Sequence, residues 1–117
     1  MSDNEAVRLI DLRAEIDRFV PDGASGRRSE TILKSADLRV VLVTMRAGTT
    51  LQEHSAPGSM TMQPLGGRFV FSAEGEDREI VAGDLITAAP GVRHAVHALD
   101  DGAFLLTLAW HDHASHA

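Results

Sequence analysis

Residues 47–69 read AGTTLQEHSAPGSMTMQPLGGRF, and residues 82–96 read AGDLITAAPGVRHAV. The first stretch has a glycine turn at Gly48, then His54, a Pro57-Gly58 bend, a strand and a Gly66-Gly67 turn. The second has a Gly83-Asp84 turn, an apolar strand, a Pro90-Gly91 bend and then His94 at the start of another strand. Glycine admits the positive φ of tight turns and proline fixes φ near its turn value, so this punctuation marks short strands joined by sharp corners. Each stretch brings one histidine to a strand edge beside a turn. Side chains alternate between the two faces of a barrel strand, so the pair can meet across one cavity.

Outward from these stretches the pattern continues. ETILKS, DLRVVLVTM, GGRFVFSAEG, EIVAG, HAVHALD and AFLLTLAW are short and rich in Val, Ile, Leu, Phe and Thr, with Gly, Asp, Ser and Pro between them. Strands at this spacing predict an all-β sandwich or barrel. Upstream, residues 6–20 (AVRLIDLRAEIDRFV) read as a short strand followed by a helix that Pro21-Asp22-Gly23 terminates. Residues 24–28 read as a polar loop, the charge run from Glu74 to Arg78 as a solvated loop, and Asp100-Asp101-Gly102 as a hairpin turn. The resulting division is an N-terminal strand, helix and loop over residues 1–30, a barrel over 31–110 and a tail over 111–117.

The 117 residues suit one domain, and 44% hydrophobic content is enough for a core. No apolar run approaches the roughly 18 residues that span a bilayer, and the acidic, polar start does not resemble a signal peptide. Cysteine is absent, which excludes disulfides and thiolate metal sites. A cytoplasmic location is the expectation. A net charge of -6, four Phe, one Trp and no Tyr argue against nucleic-acid binding.

The two quoted stretches resemble the paired motifs of the cupin superfamily. The first family motif is G-x5-H-x-H-x3-4-E-x6-G; here Gly48, His54 and Gly67 keep their places, while Ala56 and Met60 stand at the second His and the Glu. The second is G-x5-P-x-G-x2-H-x3-N; here Gly83, Gly91 and His94 fit, Ala89 replaces the first Pro, and Ala98 replaces the Asn. The match is close over residues 48–98, and the strand pattern extends it over about 31–110. The resemblance implies an all-β cupin double-stranded β-helix, a jelly-roll barrel, with a short N-terminal strand and helix segment.

In metal-binding cupins three His and one Glu hold the ion. Carried over by position, this chain retains His54 and His94 as metal-ligand candidates for one divalent transition metal, Zn, Fe, Ni, Mn or Cu. Catalytic sites usually supply three protein ligands, so a third must come from elsewhere. Strand parity turns Glu53, Gln63 and His97 away; His111 and His113 share parity if the tail folds over the barrel mouth. Met60 and Met62 share parity with the missing Glu and are expected to line the pocket with His54 and His94, against the plainer alternative of core packing. Trp110 is expected in a subunit contact or the core. The leading reading is a small-molecule-binding cupin with an organic ligand, forming a homodimer through apolar outer faces. A metal-dependent, dioxygenase-like oxidoreductase is the alternative. A metal-free isomerase lacks an acid or base partner at an inward position.

Overall fold

The computed structural model describes residues 6–110, and every structural statement refers to them. Nine strands form two antiparallel sheets. One runs in the order β1 (Arg27–Lys34), β2 (Leu38–Met45), β9 (Gly102–Ala109), β4 (Met60–Gly66), β7 (Ile86–Ala88). The other runs β3 (Thr50–His54), β8 (His94–Ala98), β5 (Phe69–Ala73), β6 (Glu76–Ile80). This is the expected all-β jelly roll.

Alternation along the strands fills the space between the sheets. Val43 and Met45 from β2, Met60 and Met62 from β4, and Phe104 and Leu106 from β9 meet Phe69, Phe71, Val96 and Ala98 from the facing sheet in one buried cluster. Phe69 and Phe104 pack edge to face across the gap, with ring centroids 5.2 Å apart. Two of the corners at which the chain crosses between sheets, β4 to β5 and β8 to β9, lie against each other. Leu99 N–H donates to Arg68 C=O at 2.9 Å, and the Arg68 guanidinium pairs with Asp100 at 2.9 Å. Gly67 has φ +84°, and a Cβ there would lie 2.7 Å from the Asp101 carbonyl oxygen, so only glycine fits without strain.

Helix α1 (Leu12–Arg18) is capped by the Asp11 carboxylate, which accepts from Ala14 N–H at 3.2 Å. It ends before Pro21, as the sequence indicates. The strand expected just upstream is absent: residues 7–11 have no regular structure, with Val7 84% and Leu9 93% exposed. Alternating apolar residues become a strand only when a ladder partner takes up their backbone groups, and none does so here.

Three further expectations are corrected. Arg27 and Arg28 are not loop; they open β1, paired to Met45 and Thr44, and the Arg28 guanidinium lies 4.9 Å from the Phe19 ring centroid. The Glu74–Arg78 run is a hairpin and an edge strand. Glu74 (φ 53°) and Gly75 (φ 76°) make the two-residue turn with both central φ positive, and β6 carries its charges at the sheet edge, where they discourage further pairing. Asp100-Asp101-Gly102 is one of the sheet-crossing corners, because β8 pairs with β3 and β5 while β9 pairs with β2 and β4. Among the described residues no helix is long and apolar enough to cross a membrane.

Candidate functional site

The two quoted stretches become neighbours through β3 and β8. At one end Gly48 N–H donates to Ala98 C=O and Ala98 N–H to Thr49 C=O, at 2.8 and 2.9 Å. At the other end Gly91 N–H donates to Ala56 C=O at 2.9 Å, tying the two Pro-Gly bends together. Between these clamps Leu51 opposes Val96 and His54 opposes His94, so β3 uses three residues where β8 uses two. That bulge restores the parity that would otherwise turn His54 away from the side Leu51 faces. The two rings meet edge to face with centroids 4.3 Å apart.

Their surroundings differ. His54 is exposed, whereas His94 is 1% exposed. Phe71 stacks on the His94 ring at 5.2 Å with planes 14° apart. Burial holds the His94 pKa below its ordinary 6.5; the Val92 carbonyl pulls it up and the neighbouring His54 pushes it down, but burial dominates. His94 is therefore neutral at pH 7.

The tautomer follows from the partners. His94 Nδ1 lies 3.1 Å from Val92 C=O, and His54 Nδ1 lies 2.9 Å from Gln52 C=O. A carbonyl only accepts, so each Nδ1 carries a hydrogen, and the neutral His94 ring presents Nε2 as an acceptor. Among the described residues, buried His94 Nε2 has no hydrogen-bond partner.

The other candidates fall elsewhere. Met60 and Met62 stand on β4 in the facing sheet at 3% and 0% exposure, packed in the core cluster. Glu53 pairs with Arg93 at 2.6 Å on the exposed side. His97 shares a 2.8 Å hydrogen bond with Thr50 Oγ1 and is on the opposite face from His94. Gln63 is exposed. Trp110 N–H donates to Asp37 C=O at 3.0 Å, and the Arg39 guanidinium lies 4.4 Å from its ring centroid. His111 and His113 lie outside the described residues.

Two adjoining concavities lie beside residues that touch His94, namely Phe71, which stacks on its ring, and Val92, whose carbonyl holds its Nδ1; neither histidine lines them. One, of about 390 Å³, opens between β5–β6 and β7 and is bordered by Phe71, Ala73, Arg78, Ile86, Ala88 and Val92. The other, about 520 Å³, is bordered by Glu53, Pro90 and Arg93; both share Glu74 and Val92. A third, about 560 Å³, lies between Ile16, Val20, Leu65 and Ala103, away from β3 and β8. Sequence reasoning missed Phe71 and Arg78. The alternation of Phe69 and Phe71 was the available signal for the first, and the Glu74-Gly75 turn for the second.

A catalytic metal centre of the family type does not fit the described residues. Ala56 has no donor, Met60 is buried in the core, and no group of three or more His, Asp or Glu is placed to hold an ion. Two imidazoles fall short of the usual three protein ligands.

No family model matches the chain, and no curated protein does. Solved structures do. A conserved protein of unknown function from Streptococcus pyogenes has TM-score 0.75 and 22% identity, covering 95% of this chain and 94% of its own. An RmlC-like cupin from Desulfovibrio desulfuricans has TM-score 0.66 and 26% identity over 91% of each chain. Salicylate 1,2-dioxygenase from Pseudoaminobacter salicylatoxidans has TM-score 0.69 and 19% identity, covering 83% of this chain and 30% of its own.

Proposed function

Starting from a cupin-superfamily domain with a double-stranded β-helix fold, we propose that this protein binds a small organic molecule, anchored by donation of a hydroxyl or N–H hydrogen to His94 Nε2. The observation that carries this reading is the imidazole itself: buried, held neutral, its Nδ1–H committed to Val92 C=O, and its Nε2 without a partner among the described residues. A buried acceptor left unpaired costs about 1–3 kcal/mol, which a ligand donor recovers on binding. Phe71 fixes the ring plane, and exposed His54 stands at the edge of the site. Phe71, stacked on His94, also walls the concavity of about 390 Å³ together with Ile86 and Ala88, and a small, partly apolar guest entering there would reach the buried ring beside Phe71.

The test is a screen of small hydroxylated and aminated compounds by NMR of the imidazole nitrogens. Binding should shift the His94 ring signals and be lost in His94→Phe, which keeps the aromatic shape but has no acceptor. His97→Ala should leave binding intact. Binders that ignore His94, or that bind His94→Phe equally well, overturn the proposal.

The metal-dependent oxidoreductase reading has the two imidazoles in its favour and the ligand count against it. Elemental analysis of untagged protein separates the two: stoichiometric Fe, Mn, Ni, Cu or Zn that is lost in His54→Ala and His94→Ala supports the metal reading. We further propose a homodimer, in which a second copy covers apolar side chains such as Val7 and Leu9. A monomer in sedimentation at micromolar concentration contradicts it.

A further inference from the structure

The hairpin formed by β5 and β6 places a charge on the inner face of the barrel. The ladder sets Ala73 opposite Glu76 and Phe71 opposite Arg78. On the other side of β5, Ala73 opposes His94 and Phe71 opposes Val96. With His54 opposite His94, one row across this sheet runs His54, His94, Ala73, Glu76, and the next runs Leu51, Val96, Phe71, Arg78. Phe71 is 2% exposed and in the core, so its row faces inward, and Arg78 leaves β6 on that side. Arg78 accordingly borders the concavity of about 390 Å³ together with Phe71 and Ala73.

Adjacent strands lie about 4.8 Å apart, so β6 stands roughly 10 Å from β8. The intervening residue in the histidine row is Ala73, whose methyl group leaves room between the two ends. Arg78 now pairs with Glu76 at 2.7 Å, with side chains 51% and 67% exposed. Such a solvent-screened pair is weak, and a carboxylate held inside the concavity competes well for the guanidinium, which binds carboxylates in a forked geometry. Glu74 on the same rim disfavours a second negative charge on the guest.

We propose that Arg78 is the anion-recognising residue of this pocket and that the ligand is a small hydroxy-monocarboxylate, its hydroxyl on His94 Nε2 and its carboxylate on Arg78. This rests on the His94 anchor proposed above and adds the chemistry of the ligand's other end.

The test uses the linear ω-hydroxycarboxylates from 3-hydroxypropanoate to 6-hydroxyhexanoate, each beside its uncharged amide, with the His94 ring and Arg78 Nε–H signals followed by NMR on the full chain. At least one carboxylate should shift both signals and bind about tenfold or more tighter than its amide, the weight of one charge-assisted hydrogen bond. Arg78→Gln should abolish that preference while the amide still shifts His94, and Arg78→Lys should restore part of it. Equal binding of amide and carboxylate with His94 still responding, or a preference that survives Arg78→Gln, overturns the role of Arg78 and leaves the His94 anchor standing. If no member of either series moves the His94 signals, both fall.

Discussion

Replacing Phe71 with Leu tests the coupling between core packing and the site. The substitution keeps a buried apolar side chain but removes the ring that stacks on His94 at 5.2 Å. Complete truncation of a buried Phe costs about 3–5 kcal/mol; Leu retains most of the transfer energy, leaving a loss of about 1–2 kcal/mol from the unfilled ring volume. For a domain of this size that lowers the melting temperature by very roughly 4–15 °C, since each kcal/mol is worth about 4–8 °C. The second consequence is specific to the site. Burial is the main cause of the lowered His94 pKa, and Phe71 covers one face of that ring. Loosening this cover admits water, eases the penalty on the charged form and moves the titration midpoint up toward 6.5. Thermal unfolding by circular dichroism reads the first effect, and the pH dependence of the His94 ring signals reads the second. A loss of stability with an unmoved or further lowered midpoint refutes the assignment of Phe71 as the shield of His94.

The same depressed pKa makes stability depend on pH. The unfolded state takes up a proton at His94 first, so the stabilisation is complete above about pH 6.5 and falls as pH drops from there toward the lower folded-state value; this component should vanish from denaturant unfolding curves of His94→Phe. Gly67→Ala should destabilise by about 1–3 kcal/mol, because φ +84° and the Asp101 carbonyl oxygen both oppose a side chain there; an unchanged urea midpoint would contradict the corner geometry. Glu74→Asn should stabilise by about 0.5–1 kcal/mol by placing a residue tolerant of positive φ in the β5–β6 turn, and a lower melting temperature would contradict the assigned turn.

The sequence carried the fold where glycine and proline carried it. Gly48, Gly67, Gly83 and Gly91 all adopt positive φ, and the corners they make bring His54 and His94 together. The parity rule correctly set Glu53 and His97 apart from His94, since both engage partners on exposed or opposite surfaces. What stayed hidden depends on two-dimensional pairing. The β3 bulge that turns His54 inward is visible only once β8 lies beside it. The Glu74–Arg78 run looked like solvent-facing loop because charge pattern alone does not distinguish a loop from an edge strand. Val7 and Leu9 had the alternation of a strand without a neighbour to complete it. Met60 and Met62 share the inward parity of a pocket wall, but inward also means core, and volume decides between them: both are packed at 3% and 0% exposure.

The most direct measurement is a long-range ¹H–¹⁵N correlation spectrum of the imidazole rings at pH 7, assigned by His54→Ala and His94→Ala. The expected result is a neutral His94 with hydrogen on Nδ1 and a bare Nε2, and a through-space contact between its ring and that of His54. A protonated ring, a hydrogen on Nε2, or two rings with no contact would contradict it.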